Sequence, residues 1–123
     1  MAFGGHLLFK ADKSEKRFHL IATELKSIKS VTRDGRTFKI EIANPSISRI
    51  RGNLFCYYAE IGIIETDVNN KTESYFDIRL TYDYIRWNVS KIYLSANHTD
   101  SPVVQLDPTW ENTPDYFRKA FGK

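Results

Sequence analysis

The residues from Phe76 to Tyr84 do most to limit what this chain can fold into. Phe76, Ile78, Leu80, Tyr82 and Tyr84 alternate with Asp77, Arg79, Thr81 and Asp83. A period of two held over this length belongs to a β-strand with one face buried and the other wet. Such a strand needs antiparallel neighbours, and the flanking sequence offers them. Leu54 to Val68 reads as a long strand, apolar on both sides, closed by the turn residues Asn69-Asn70-Lys71-Thr72. Trp87 to Leu94 reads as another.

Further upstream, Val31-Thr32-Arg33-Asp34-Gly35-Arg36-Thr37-Phe38 reads as a hairpin. Asp-Gly readily takes the positive φ values that a two-residue type I′ turn demands. That register sets Val31 opposite Phe38, with Ile40 and Ile42 continuing the face and Lys39 and Glu41 pointing away. Asn44-Pro45-Ser46 is then expected to break the strand, because proline has no N–H to give to a ladder.

The N-terminal stretch supports two readings. Phe18, Ile21, Leu25 and Ile28 fall on one helical face, and Asp12 followed by Glu15 outlines a capping box. Leu20 sits off that stripe. The same residues also read as strands, Leu7–Lys10 pairing with Arg17–Ile21 through the polar turn Asp12–Lys16, and the strand-rich remainder favours this second reading. At the other end Pro102, Pro108 and Pro114 punctuate a tail from 102 to 123, which rules out a central strand there. Thr113 as N-cap and Pro114 as first helical residue predict a short helix to Phe121, ended by Gly122.

Six to seven strands and a short C-terminal helix make an all-β chain: a single-domain antiparallel β-barrel or β-sandwich over residues 1–123. The alternative is an α+β chain with an additional helix near residues 13–29. Hydrophobic residues make up 41% and aromatics 14% of the chain, enough for a core and too apolar for disorder. The lone cysteine, Cys56, closes no internal disulfide and reads as a small buried hydrophobe. Apolar runs fall short of a membrane span, and Met1–Lys10 has neither the basic start nor the hydrophobic stretch of a signal peptide. The expectation is a protein of the cytoplasm, or of a particle assembled there.

No catalytic grouping emerges. His6, His19 and His98 are far apart, and no Cys/His cluster has zinc-ligand spacing. Asp77 and Asp83 share a strand face but lie about 20 Å apart at strand rise. No glycine loop of the phosphate-binding kind is present. The chain is therefore expected to be no enzyme, with no catalytic residues, metal or cofactor.

Charge is uneven. Residues 1–53 hold 11 basic and 5 acidic side chains, residues 54–123 hold 7 and 10. Arg33, Arg36, Lys39, Arg49 and Arg51 form the candidate anion- or nucleic-acid-binding set, with Tyr57, Tyr58, Tyr75 and Tyr93 as stacking surfaces for a single strand. Trp110, Tyr116, Phe117 and Phe121, four large aromatics in the tail, are the candidate partner interface. Together these features predict a non-enzymatic binding or assembly module, a structural subunit or adaptor in a homo- or hetero-oligomer. The abundance of small all-β subunits in virus and phage particles points the same way, by analogy only. The alternative is a β-barrel protein that binds single-stranded nucleic acid.

Overall fold

The computed structural model describes residues 2–49, 56–83, 85–96 and 102–123, with side chains from residue 14 onward except those at 49 and 56. Helix α1 (Ala2–Lys26) leads into strands β1 (Ser30–Arg33), β2 (Arg36–Arg49), β3 (Cys56–Asp67), β4 (Thr72–Asp83), β5 (Trp87–Ala96) and β6 (Val104–Leu106). A single 3-10 turn, Trp110–Asn112, and helix α2 (Asp115–Ala120) complete the chain. The strands form one antiparallel sheet in sequence order, β1 to β6. It is mostly β, as the alternation at Phe76–Tyr84 requires, and it is not closed on itself. Its outermost strands are short, four residues in β1 and three in β6, so among the described residues the rest of β2 and the first half of β5 also lie at sheet edges.

The strand reading of Leu7–Lys10 and Arg17–Ile21 is overturned: both lie within α1. Phe18, Ile21, Ala22 and Leu25 are buried at helical spacing, while Leu20, the residue off the stripe, is 72% exposed. A meander with one apolar face needs a cover, and an amphipathic helix supplies it where two more strands would add further face to hide. The break at Asn44-Pro45 is also corrected. The strand continues to Arg49 through a bulge, with Asn44 at φ 45° and the pairing stepping from Ala43↔Gly62 to Ser46↔Glu60. Among the described residues β1 pairs only with residues 36–39 and no other strand lies outside β2, so Pro45 sits where no partner strand calls for an N–H.

The Asp-Gly hairpin forms as expected, with Asp34 at φ 53°, Gly35 at φ 75° and Val31 opposite Phe38. The core lies between one face of the sheet and the two helices. Phe18, Leu25, Ile61, Ile63, Ile78, Leu80, Ile92 and Phe117 are fully buried there, each such side chain stabilising by about 1.5–3 kcal/mol. The tail docks on this core. Thr113 Oγ1 donates to the Trp110 carbonyl at 2.6 Å, closing the 3-10 turn rather than capping α2. The Pro114 carbonyl accepts the first helical N–H groups, from Phe117 and Arg118, and Gly122 at φ 79° follows the helix end.

Candidate functional site: the open face of the sheet

The basic set does not form one patch. Arg33 and Arg36 are direct cross-strand partners, and both turn towards acids that lie on the core side of β3. Arg33 Nη2 stands 2.8 Å from Glu65 Oε1, and its guanidinium lies 4.6 Å from the Phe38 ring centre. That bond to Glu65 holds Arg33 protonated even more firmly than usual. Arg36 Nη1 lies 3.8 Å from Asp67 Oδ2. Lys39 belongs to the opposite face of β2, and along the β2 edge it borders a depression of about 450 Å3 that Lys26, Lys29, Glu41 and the core-side Ile40 and Ile42 also line. The Arg49 side chain, Arg51 and the Cys56 side chain lie outside the described residues, as do the side chain of His6 and all of Tyr84 and His98.

The tail aromatics face inward. Trp110, Phe117 and Phe121 form a ring cluster with centroids 5.1–6.2 Å apart. Phe117 is wholly buried and Phe121 is 5% exposed, so neither has surface to offer outward. Trp110 and Tyr116 are partly buried against the same core. The Tyr116 hydroxyl donates to Glu65 Oε2 at 2.6 Å. Burial first, and then the Glu65 carboxylate, push its pKa far up, so it stays a donor.

The other face of the sheet has no helix upon it among the described residues. Register places its side chains: Glu60 pairs with Arg79, Arg79 with Lys91, Gly62 with Asp77 and Asp77 with Tyr93. Successive strands thus bring two acids, two bases and aromatic rings to one spot. A register shift after Arg79 puts Ser90 into a bulge beside it, a device that re-aims side chains next to sites. Gly62 matters here too. A Cβ at this position would stand 2.8 Å from Tyr75 Oη, so only glycine lets the Tyr75 ring lie across β3.

The charges in this cluster are close but poorly matched. Arg79 Nε lies 3.7 Å from Glu60 Oε2 and Arg79 Nη2 lies 3.7 Å from Asp77 Oδ2, both beyond hydrogen-bond reach. The guanidinium also lies 5.2 Å from the Tyr93 ring centre. Three buried side-chain atoms lack a hydrogen-bond partner among the described residues: Asp77 Oδ1, Arg79 Nε and Trp87 Nε1. Two of the three are here. Asp77, with its side chain 17% exposed, has its pKa pushed up to about 6, by burial first and then by the Glu60 carboxylate beside it.

Two depressions of about 350 Å3 each meet at Arg79. One, over β2 to β5, is edged by Ser46, Ser48, Tyr58, Thr81, Ser90 and Lys91. The other, over β4 and β5, is walled by Tyr75, Asp77, Tyr93 and Ser95. Of the tyrosines singled out in the sequence, Tyr57 is in the core, while Tyr58, Tyr75 and Tyr93 flank these depressions. The alternation at 76–84 assigned Asp77 and Arg79 to the wet face but not their mismatch, which depends on Glu60 from another strand. Gly62 in mid-strand was the available signal.

Among the described residues no group of three or more His, Cys, Asp or Glu could hold a metal ion, and no helix is long and apolar enough to cross a membrane. No family model, curated protein or solved structure matches the chain.

Proposed function

We propose that this chain is a non-enzymatic binding module, a small subunit or adaptor of a larger assembly, and that the open face of its sheet is the contact surface. The observation that carries this reading is the unequal treatment of the two faces. Both helices and the apolar core cover one of them. The other keeps buried polar atoms unpartnered at Asp77 and Arg79, beside exposed Tyr58. The Arg79 guanidinium, its side chain 41% exposed and 3.7 Å from each acid, keeps N–H groups to give, which suits a surface completed by something else. The groove is open to water, which suits binding better than bond-breaking chemistry. A nucleic-acid role draws less support, because Glu65 and Asp67 engage the two hairpin arginines and Glu60 and Asp77 oppose phosphate at the tyrosines.

A photoreactive residue in place of Thr81, on the open face, tests the reading against one in place of Glu24, exposed on α1. In an extract of the native source, covalent adducts should form from position 81 and not from position 24. No adduct from position 81 sinks the proposal. Salt-sensitive capture of a single-stranded oligonucleotide, abolished by Arg33→Glu with Arg36→Glu, would replace it with nucleic-acid binding.

A further inference from the structure

We propose that the two depressions meeting at Arg79 form a binding site for a neutral saccharide, with adjacent hydroxyl groups of one sugar ring engaging Asp77 and Arg79. This rests on the reading of the open face as a contact surface, and it names the chemistry of the ligand. Charge is the first filter. An anion would gain Arg79 and Lys91 but confront Glu60 and Asp77, and a cation would meet the reverse. The site is balanced, so a neutral ligand meets no net opposition.

Hydrogen bonding is the second filter. The Arg79 guanidinium, its side chain 41% exposed, offers N–H donors, and the partly exposed Asp77 carboxylate beside it offers an acceptor. A hydroxyl group supplies both functions, one O–H and two lone pairs, and neighbouring hydroxyls on a sugar ring supply them in tandem. Ser46, Ser48, Thr81 and Ser90 line the adjoining depression with further groups of the same dual character. A wholly apolar ligand would strip water from the exposed parts of both charged side chains without replacing its hydrogen bonds, at a cost.

Shape and ring chemistry are the third. Tyr75 and Tyr93 wall one depression and Tyr58 edges the other, so each offers an apolar ring surface for the C–H groups of a sugar. Each cavity, at about 350 Å3, falls at the small end of small-molecule sites. Two of them sharing Arg79 suit consecutive units of an oligosaccharide. An extended peptide is also neutral and offers donors and acceptors, but it draws affinity from main-chain pairing at a sheet edge. The present site lies on a face, where strand backbones pair with one another and only side chains are on offer.

The test uses the full chain labelled with 15N and titrated with neutral hexasaccharides (cello-, malto-, xylo- and chitohexaose) to about 10 mM, a range that detects Kd values into the millimolar. Expected is a saturable amide shift for at least one of them, centred on Tyr75, Asp77, Arg79 and Tyr93. Arg79→Ala should weaken that binding about tenfold or more while its urea melt stays cooperative. Should Arg79→Ala fail to fold, Tyr93→Ala serves the same purpose from the opposite wall. Absence of shifts at these residues with all four sugars overturns the proposal. So does stronger binding of an anionic hexasaccharide, a single-stranded oligonucleotide or a neutral Gly/Ser decapeptide at the same residues. If the sugars fail while cross-linking from position 81 succeeds, the saccharide assignment falls and the binding-module reading stands.

Discussion

Strand β3 carries acidic side chains on both of its faces, and the fold treats them in opposite ways. On the core side Glu65 is 3% exposed and accepts from Arg33 at 2.8 Å and from the Tyr116 hydroxyl at 2.6 Å. Asp67, two residues on, accepts the backbone N–H groups of Asn69 and Asn70 at 3.0 and 3.1 Å and a third bond from Asn70 Nδ2. These bonds, the Asn70 backbone N–H foremost, hold its pKa below the usual carboxylate value. On the open side Glu60 and Asp77 share one arginine, neither within hydrogen-bond distance, and the Asp77 pKa moves up instead. One acidic group is finished and the other is not. The finished group fastens three distant parts of the chain, the hairpin, β3 and the tail helix. The unfinished group fastens nothing and faces solvent, and that contrast separates side chains that hold the fold from those available to a ligand.

The contrast breaks most violently if a carboxylate is forced onto the core face of β4. Leu80→Asp puts an unpartnered charge among fully buried residues, and a loss of about 4 kcal/mol or more is expected in urea melts. Thr81→Asp, one residue along and on the open side, should cost less than about 1 kcal/mol. Equal losses in the two variants would mean that the faces are wrongly assigned.

The next effect sharpens the role of Glu65. Glu65→Ala leaves the Arg33 guanidinium and the Tyr116 hydroxyl without their common acceptor, and breaking such a buried arrangement typically costs about 3–5 kcal/mol. Arg33 is 47% exposed at its side chain, so water recovers part of its solvation and about 3 kcal/mol is the expectation. Tyr116→Phe alone removes one hydrogen bond to a charged group, about 1.5–3 kcal/mol. A double-mutant cycle should show the two losses to be non-additive, because Tyr116 and Arg33 act through the same carboxylate. Additive losses would mean that α2 is held by its aromatic side chains alone.

How far the sequence disclosed this depends on the range of the interaction. Asp34-Gly35 and the alternation at 76–84 act locally, and the hairpin register and the facing of β4 follow from them directly. Phe18, Ile21 and Leu25 also carried a legible helical stripe, but the strand-rich surroundings argued against it. What decides for the helix is the need to cover a sheet face, a tertiary demand that no local pattern states. Arg33 and Arg36 looked like a free basic tip because Glu65 and Asp67, the acids that meet them, sit some thirty positions away and join only through β1–β2 and β2–β3 pairing. Glu60 meets Arg79 in the same non-local way through β3–β4 pairing. The tail aromatics were legible as surface that must be covered, and the cover turns out to be the chain's own core.

The smallest effect is the most discriminating, because it has the opposite sign. Asp77 carries a folded-state pKa of about 6 against about 3.9 in an unfolded chain. Below the lower value both states are protonated and the group contributes no difference. Between the two values the folded protein keeps a proton that the unfolded chain releases, so stability falls as pH rises through this window. Above it the full penalty is present, about 2 kcal/mol once partial solvent access is allowed for. Asp67, Asp83 and Asp115, whose pKa values are depressed, act in the reverse sense, and their contributions are lost only on acidification below the normal carboxylate range. Asp77→Asn keeps the shape of the side chain and removes the charge beside Glu60, so it should stabilise the protein modestly near pH 7.5 and leave it unchanged near pH 4. The difference between wild-type and variant urea midpoints, followed from pH 4 to 7.5, should open between about pH 4 and 6, reach half its size at about pH 5 and level off above that window. A difference that stays constant across that range would show that Asp77 is as well satisfied as Glu65 and Asp67, and the distinction between the two faces would collapse.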